Sequence, residues 1–410
     1  MVQSFARGEG LFPSFFLGGF ECSTHRRSDR RRLDLVASTR HDAEAEADYA
    51  GLASHGLLGA RDGARWHLVE VRPGEYDWSS VLPQMRAAKR AGVRVAWDLA
   101  HYGYPDFLDP WTEGFADSLA AYAAAFARLA LEEEGQPPIL CPVNEISFWS
   151  WAGGEVAHFN PVARGRGGEL KTRLVAASLR AARAARAAVP GTQIIAVDPL
   201  IRVVARSERQ AGGAGGYHNS QWEGWDGLLG LQWPELGGGE DGFDVMGVNY
   251  YWNNQWMFQG PKITPGSARY LPFREILAGA WVRYGRPIFL AETSIEGIPR
   301  ANWLRYIGNE VRAAMRAGVP VGGICLYPVL SHLGWDNDRY CPNGLFELGE
   351  PGQPRPVDAP LAEELRRQQA LFAAHFRGEA VPEDQEALPE LADALRQRAL
   401  ESKEQDEAES

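Results

Sequence analysis

Apolar runs of strand length alternate along this chain with Ala- and Arg-rich segments of helical period. The runs fall at 15–19, 57–61, 93–99, 139–144, 193–198, 243–250, 287–292 and 321–327. The helical patterns behind them lie at 42–55, 79–91, 115–134, 170–188, 222–231, 272–284, 302–317 and 359–376. Stop signals agree with this division: Gly92 follows the second helix and Pro190 the fourth. The strands are apolar at consecutive positions, as in a parallel sheet buried on both faces. Eight βα units in strict alternation predict a closed (β/α)8 TIM barrel with elaborated βα loops. A doubly wound sheet would place a Gly-rich phosphate loop between a strand and its helix. The Gly-rich stretches 212–216 and 237–239 do not stand in that order and read as flexible loop.

Composition narrows the setting. Of 410 residues, 45% are hydrophobic and 23% charged, enough to bury a large core. No apolar run approaches the ~18 residues of a membrane span. The N-terminal stretch lacks a basic segment followed by an apolar one, so no export signal is expected. Four cysteines without a CxxC pair point to a reducing compartment, and the expected location is cytoplasmic.

The net charge of −11 is concentrated at one end. Residues 378–410 hold 11 acidic and 3 basic side chains; the other 377 residues hold 42 and 39. The predicted organisation is therefore a catalytic barrel over 1–377 and an acidic tail over 378–410, helical or disordered. The tail is expected to be dispensable, unless Leu388, Leu391, Leu395 and Leu400 dock as one helical stripe. No basic face suggests a nucleic-acid partner, and the oligomeric state is not legible.

In such barrels chemistry sits at the C-terminal strand ends. Asn144-Glu145 closes the fourth strand and Glu292 the seventh, three strands apart, so the two glutamates can face each other across the mouth. Opposed carboxylates suit glycoside hydrolysis, one protonated to donate to the leaving oxygen and the other ionised to attack the anomeric carbon. Arg61, with Arg65 as the alternative, is placed to neutralise the nucleophile. Tyr251 is placed to donate to it, and Asn144 to bind a sugar hydroxyl. The second Asn-Glu pair, Asn309-Glu310, lies within a helical pattern and is expected on the surface. Tryptophans gather after these strand ends, and Trp151 and Trp335 are the expected sugar platforms. The nine histidines show no HxH or HExxH spacing, so no metal or organic cofactor is expected.

These segments carry a family resemblance. Pro142-Val143-Asn144-Glu145 resembles the Phe-Asn-Glu-Pro acid/base motif of glycoside hydrolase family 1, the β-glucosidase and 6-phospho-β-glycosidase group. Phe289-Leu290-Ala291-Glu292-Thr293 resembles its Thr-Glu-Asn-Gly nucleophile motif, and the segment from Asp244 to Tyr251 its sixth strand. His101-Tyr102-Gly103-Tyr104-Pro105 is similar to its His-Trp-x-x-Pro segment, which implies that His101 binds sugar.

The departures are specific. Ile146 stands where the family has Pro, Thr293-Ser294 where it has Asn-Gly, and Gly334 where it has a sugar-gripping glutamate. The family's N-terminal Gln has no match, and Glu21 or His25 is the candidate substitute. On the eighth strand Tyr327-Pro328 matches the family's Trp-Ser pair, which implies a cis bond and Tyr327 at the pocket floor. The resemblance implies a retaining exo-acting β-glycosidase that acts on a small carbohydrate substrate. A non-catalytic carbohydrate-binding barrel and a transglycosidase using the same residues remain as alternatives.

Overall fold

The computed structural model describes residues 10–335, 338–381, 391, 392 and 395. Eight strands close into a parallel barrel in sequential order: β1 (Phe16–Gly19), β2 (Gly59–Gly63), β3 (Arg94–Asp98), β4 (Ile139–Cys141), β5 (Gln193–Pro199), β6 (Val245–Asn249), β7 (Ile288–Thr293) and β8 (Val321–Leu326). Closure is made by β1, which pairs Gly19 with Arg61 on one side and Leu17 with Cys325 on the other. Eight helices follow the strands: α1 (His41–Ser54), α2 (Leu82–Ala91), α3 (Glu113–Glu134), α4 (Gly167–Ala188), α5 (Glu223–Leu228), α6 (Phe273–Tyr284), α7 (Arg300–Arg316) and α8 (Ala359–Phe376). The predicted barrel and the order of its units therefore stand.

Two apolar layers form because successive strand side chains point to opposite faces. Leu17, Ala96, Ile139, Ile195, Val245, Phe289 and Cys325 fill the interior, and Phe12 packs at a tilt against Phe289. The outward set, including Val95, Leu140, Ile194, Met246, Leu290 and Ile324, packs against the helices. Both faces of most strands are thus apolar, which is why the sequence shows near-continuous runs.

Three local expectations change. The Gly-rich stretch near 212–216 is not loop but part of a helix, Ala211–Asn219. Glu310 of α7 is not on the surface: it is buried and takes a bidentate pair of bonds from Arg274, at 3.0 and 2.7 Å, that joins α6 to α7. Leu391 and Leu395 are helical and fully buried within the outer core, so the docked form of the tail is the one their burial supports. Leu388 and Leu400 lie outside the described residues. Among the described residues no helix is long and apolar enough to cross a membrane.

Candidate active site

The barrel mouth opens into a cavity of about 820 Å³, within the range of small-molecule sites. Glu145 and Glu292 both line it, together with Glu21, Tyr251, Trp151 and Trp335.

Each glutamate arrives by a departure from regular backbone. On β7, Phe289 and Ala291 face the barrel interior and Ile288 and Leu290 the helices, so strict alternation would send Glu292 outward. The β6–β7 register shifts between Leu290 and Glu292, and Glu292 comes opposite Asn249. That irregularity turns its carboxylate into the mouth. Glu145 lies beyond the end of β4 with φ +46°, in the left-handed region. Such a conformation costs about 1–3 kcal/mol in a non-glycine residue and persists only where neighbours enforce it. Here the Asn144 N–H donates to the Ala100 carbonyl and the Glu145 N–H to the Val197 carbonyl, both at 3.0 Å.

The two carboxyl groups sit in different surroundings. Arg61 Nη1 donates to Glu292 Oε1 at 2.6 Å, and Tyr251 Oη donates to Oε2 at 2.8 Å. Arg61 is itself buried and spends its remaining donors on Asp98, at 3.1 and 2.7 Å, and on Asn144 Oδ1 at 2.6 Å. Glu145 has no cation of its own. Tyr102 Oη donates to its Oε2 and Asn249 Nδ2 to its Oε1, the latter at 2.8 Å. Burial, reinforced by the charge of Glu292, holds Glu145 well above the usual carboxyl range despite those two donors. One glutamate is thus held beside a guanidinium, and the other sits where burial and a neighbouring carboxylate favour its protonated form.

The remaining expected residues divide between the wall and the layer beneath it. Asn144 donates from Nδ2 to His101 Nε2 at 2.9 Å and to Tyr102 Oη at 3.1 Å. With Oδ1 taking the bond from Arg61, its amide is engaged by protein on both sides. His101 Nδ1 lies 2.9 Å from Asp98 Oδ2, so the network assigns that nitrogen as donor and Nε2 as acceptor.

Tyr327-Pro328 is cis, as the resemblance implied. The Tyr327 ring lies under the Arg61 guanidinium, 5.1 Å from centroid to Cζ, while Pro328 reaches the wall. Gly19 makes this placement feasible, because a Cβ there would come within 2.2 Å of the tyrosine ring. Of the two candidates for the missing Gln, Glu21 lines the cavity and lies 3.8 Å from His101 Nε2. His25 is packed against Trp335 at 5.4 Å and Phe159 at 4.7 Å, and burial lowers its pKa to about 3. Arg65, the alternative cation, is committed elsewhere, to Asp34 and Asp42.

Sequence reasoning passed over Tyr102, Asn249 and Asp98 as functional groups, although all three stood in quoted segments or strand ends. Their signal was adjacency: each is a polar residue at or next to a barrel-strand terminus. Cys22, Asp98 and His101 also bring potential metal-ligand atoms together. Asp98 already takes three roles there, since Arg61 holds both oxygens and His101 adds a donor, and burial pushes the Cys22 thiol well above its ordinary value. The three side chains are joined to one another by hydrogen bonds behind the mouth.

Fold and site together define a (β/α)8 barrel with two buried glutamates, differently surrounded, facing one cavity. Among solved structures it is similar to the β-glucosidase from Thermotoga maritima in complex with deoxynojirimycin, at 14% identity and a TM-score of 0.68, over 87% of this chain and 98% of that one. It is also similar to the β-glycosidase BGL167, at 17% identity and a TM-score of 0.65, over 85% and 89%. The AHE enzyme from Alicyclobacillus herbarius matches at 18% identity and a TM-score of 0.65, over 82% and 88%. No family model matches the chain, and no curated protein matches its sequence. At these identities the likeness is one of fold.

Proposed function

We propose that this protein is a retaining, exo-acting β-glycosidase, with Glu145 as general acid/base and Glu292 as nucleophile. The observation that carries the proposal is the unequal setting of the two glutamates on one cavity wall: Glu292 bonded by Arg61 and Tyr251, Glu145 bonded by the neutral donors Tyr102 and Asn249 and raised in pKa by burial and by the charge of Glu292. In the first step Glu292 attacks the anomeric carbon while Glu145 gives its proton to the departing oxygen, which leaves as an alcohol. Formation of the glycosyl-enzyme removes the negative charge of Glu292, and with it a reason for Glu145 to stay protonated. Glu145 then takes a proton from water as that water displaces Glu292 from the anomeric carbon. The similar fold of proteins titled β-glucosidase and β-glycosidase supports this assignment.

The test is a panel of aryl β-glycosides with the product anomer followed by NMR. Retention of configuration and release of terminal sugars from oligosaccharides are expected. Loss of Glu145 should hurt poor leaving groups far more than activated aryl glycosides, and azide, which needs no base, should partly rescue the stalled second step by forming a β-glycosyl azide. Full activity in Glu292→Ala would remove the assignment. Binding without turnover across the panel would favour a carbohydrate-binding barrel, and sugar transfer to alcohols in preference to water a transglycosidase.

A further inference from the structure

Strand β5 ends in a buried carboxyl group that the steps above do not use. The Ser147 N–H, two residues after Glu145, donates to both oxygens of Asp198, at 3.1 and 3.0 Å. The Glu145 N–H is bonded to the neighbouring carbonyl of the same strand, Val197. Strand β5 therefore grips the backbone on both sides of the left-handed Glu145.

Asp198 is 2% exposed and has no place on the cavity wall. Helix α5 closes over it, since a Cβ on Gly224 would come within 2.8 Å of Oδ2. The cation that reaches it is Lys171 of α4, whose ammonium is already held by Glu223 at 2.6 Å and by the Ser220 carbonyl at 3.1 Å. Burial accordingly raises the Asp198 pKa to about 7, and its negative charge acts in turn to raise that of Glu145.

The geometry points to Asp198 as the positioning residue of the acid/base: its buried carboxyl group fixes the turn that carries Glu145. This rests on the glycosidase assignment above. Asp198 touches no substrate and acts only through the Glu145 turn and its proton.

The experiment compares wild type, Asp198→Asn and Asp198→Ala, with melting temperatures as controls for folding. Asn keeps the shape and one acceptor but removes the charge. The alkaline limb of kcat/KM for a poor leaving group should then move down by about half a pH unit or more. Ala also removes the backbone grip. Its kcat on poor leaving groups should fall about tenfold or more with KM little changed, while a dinitrophenyl glycoside is nearly spared. Equal losses for all leaving groups with an unmoved alkaline limb would overturn the inference. Carbon-13 NMR titration of Glu145, its signal identified by loss in Glu145→Gln, supplies a readout independent of turnover. Inactive wild type would sink the glycosidase assignment, whereas a Glu145 titration unchanged in Asp198→Asn would sink the role of Asp198.

Discussion

The Arg61 guanidinium lies 2.6 Å from Glu292 while its other nitrogens hold Asp98 and Asn144, so one buried side chain from β2 ties together residues from β3, β4 and β7. A planar fork can serve three partners at fixed angles; an ammonium cannot. Arg61→Lys keeps the charge and loses the geometry. Its kcat/KM should drop by roughly two to three orders of magnitude, the scale of losing a preorganised donor at a reacting group. Steady-state kinetics on an aryl β-glycoside measure this, and a loss below tenfold would mean the fork is not what orients Glu292.

Tyr102 opposes burial at Glu145. Burial and then Glu292 raise the acid's pKa, and the tyrosine donor lowers it. Tyr102→Phe removes that donor, so Glu145 should hold its proton to still higher pH and the alkaline limb of kcat/KM should move upward. The second step, in which Glu145 must act as a base, should slow, most visibly on activated substrates. A limb that moved downward would contradict the geometry.

A second buried network sets the response of stability to pH. His41 of α1 lies 2.8 Å from Asp48 and 3.1 Å from Asp62, and Arg355 also bonds Asp48. Burial disfavours the imidazolium, but the charges and hydrogen bonds of Asp62 and Asp48 outweigh it and raise its pKa to about 9. A raised histidine adds stability that is complete below its unfolded value near 6.5 and is lost as pH climbs through 9. Urea midpoints should therefore fall between pH 6.5 and 9, and the fall should be shallower in His41→Gln. Parallel slopes in the two proteins would assign the effect to other groups.

Removal of residues 379–410 deletes Leu391 and Leu395, both fully buried. Burying a leucine side chain is worth about 1.5–3 kcal/mol, less the entropy of ordering the segment. Calorimetry should show a melting temperature several degrees lower, with kcat unchanged because neither residue lines the cavity. An unaltered melting temperature would return the tail to a solvated extension.

Period and punctuation alone determined the barrel. Buried on both faces, its strands had to be continuous apolar runs, and its helices had to recur between them, so the eight units and the strand-end positions of Glu145 and Glu292 were legible from local pattern. Arg61 and Tyr251 were legible for the same reason, since a polar residue that ends a barrel strand has few places to point except the mouth. What pattern could not reach were partners set by closure and by irregular backbone. The β7 register shift that turns Glu292 inward, the left-handed Glu145, and the grip of Asp198 on the following turn each depend on a neighbouring strand dozens of residues away. The organising contacts of Asn144 were equally out of reach, because only closure brings Arg61, His101 and Tyr102 within bonding distance of one amide. Hydrophobic periodicity follows from burial, which each residue expresses separately. Charge pairing and proton affinity depend on distances between residues remote in sequence, and only the closed barrel sets those distances.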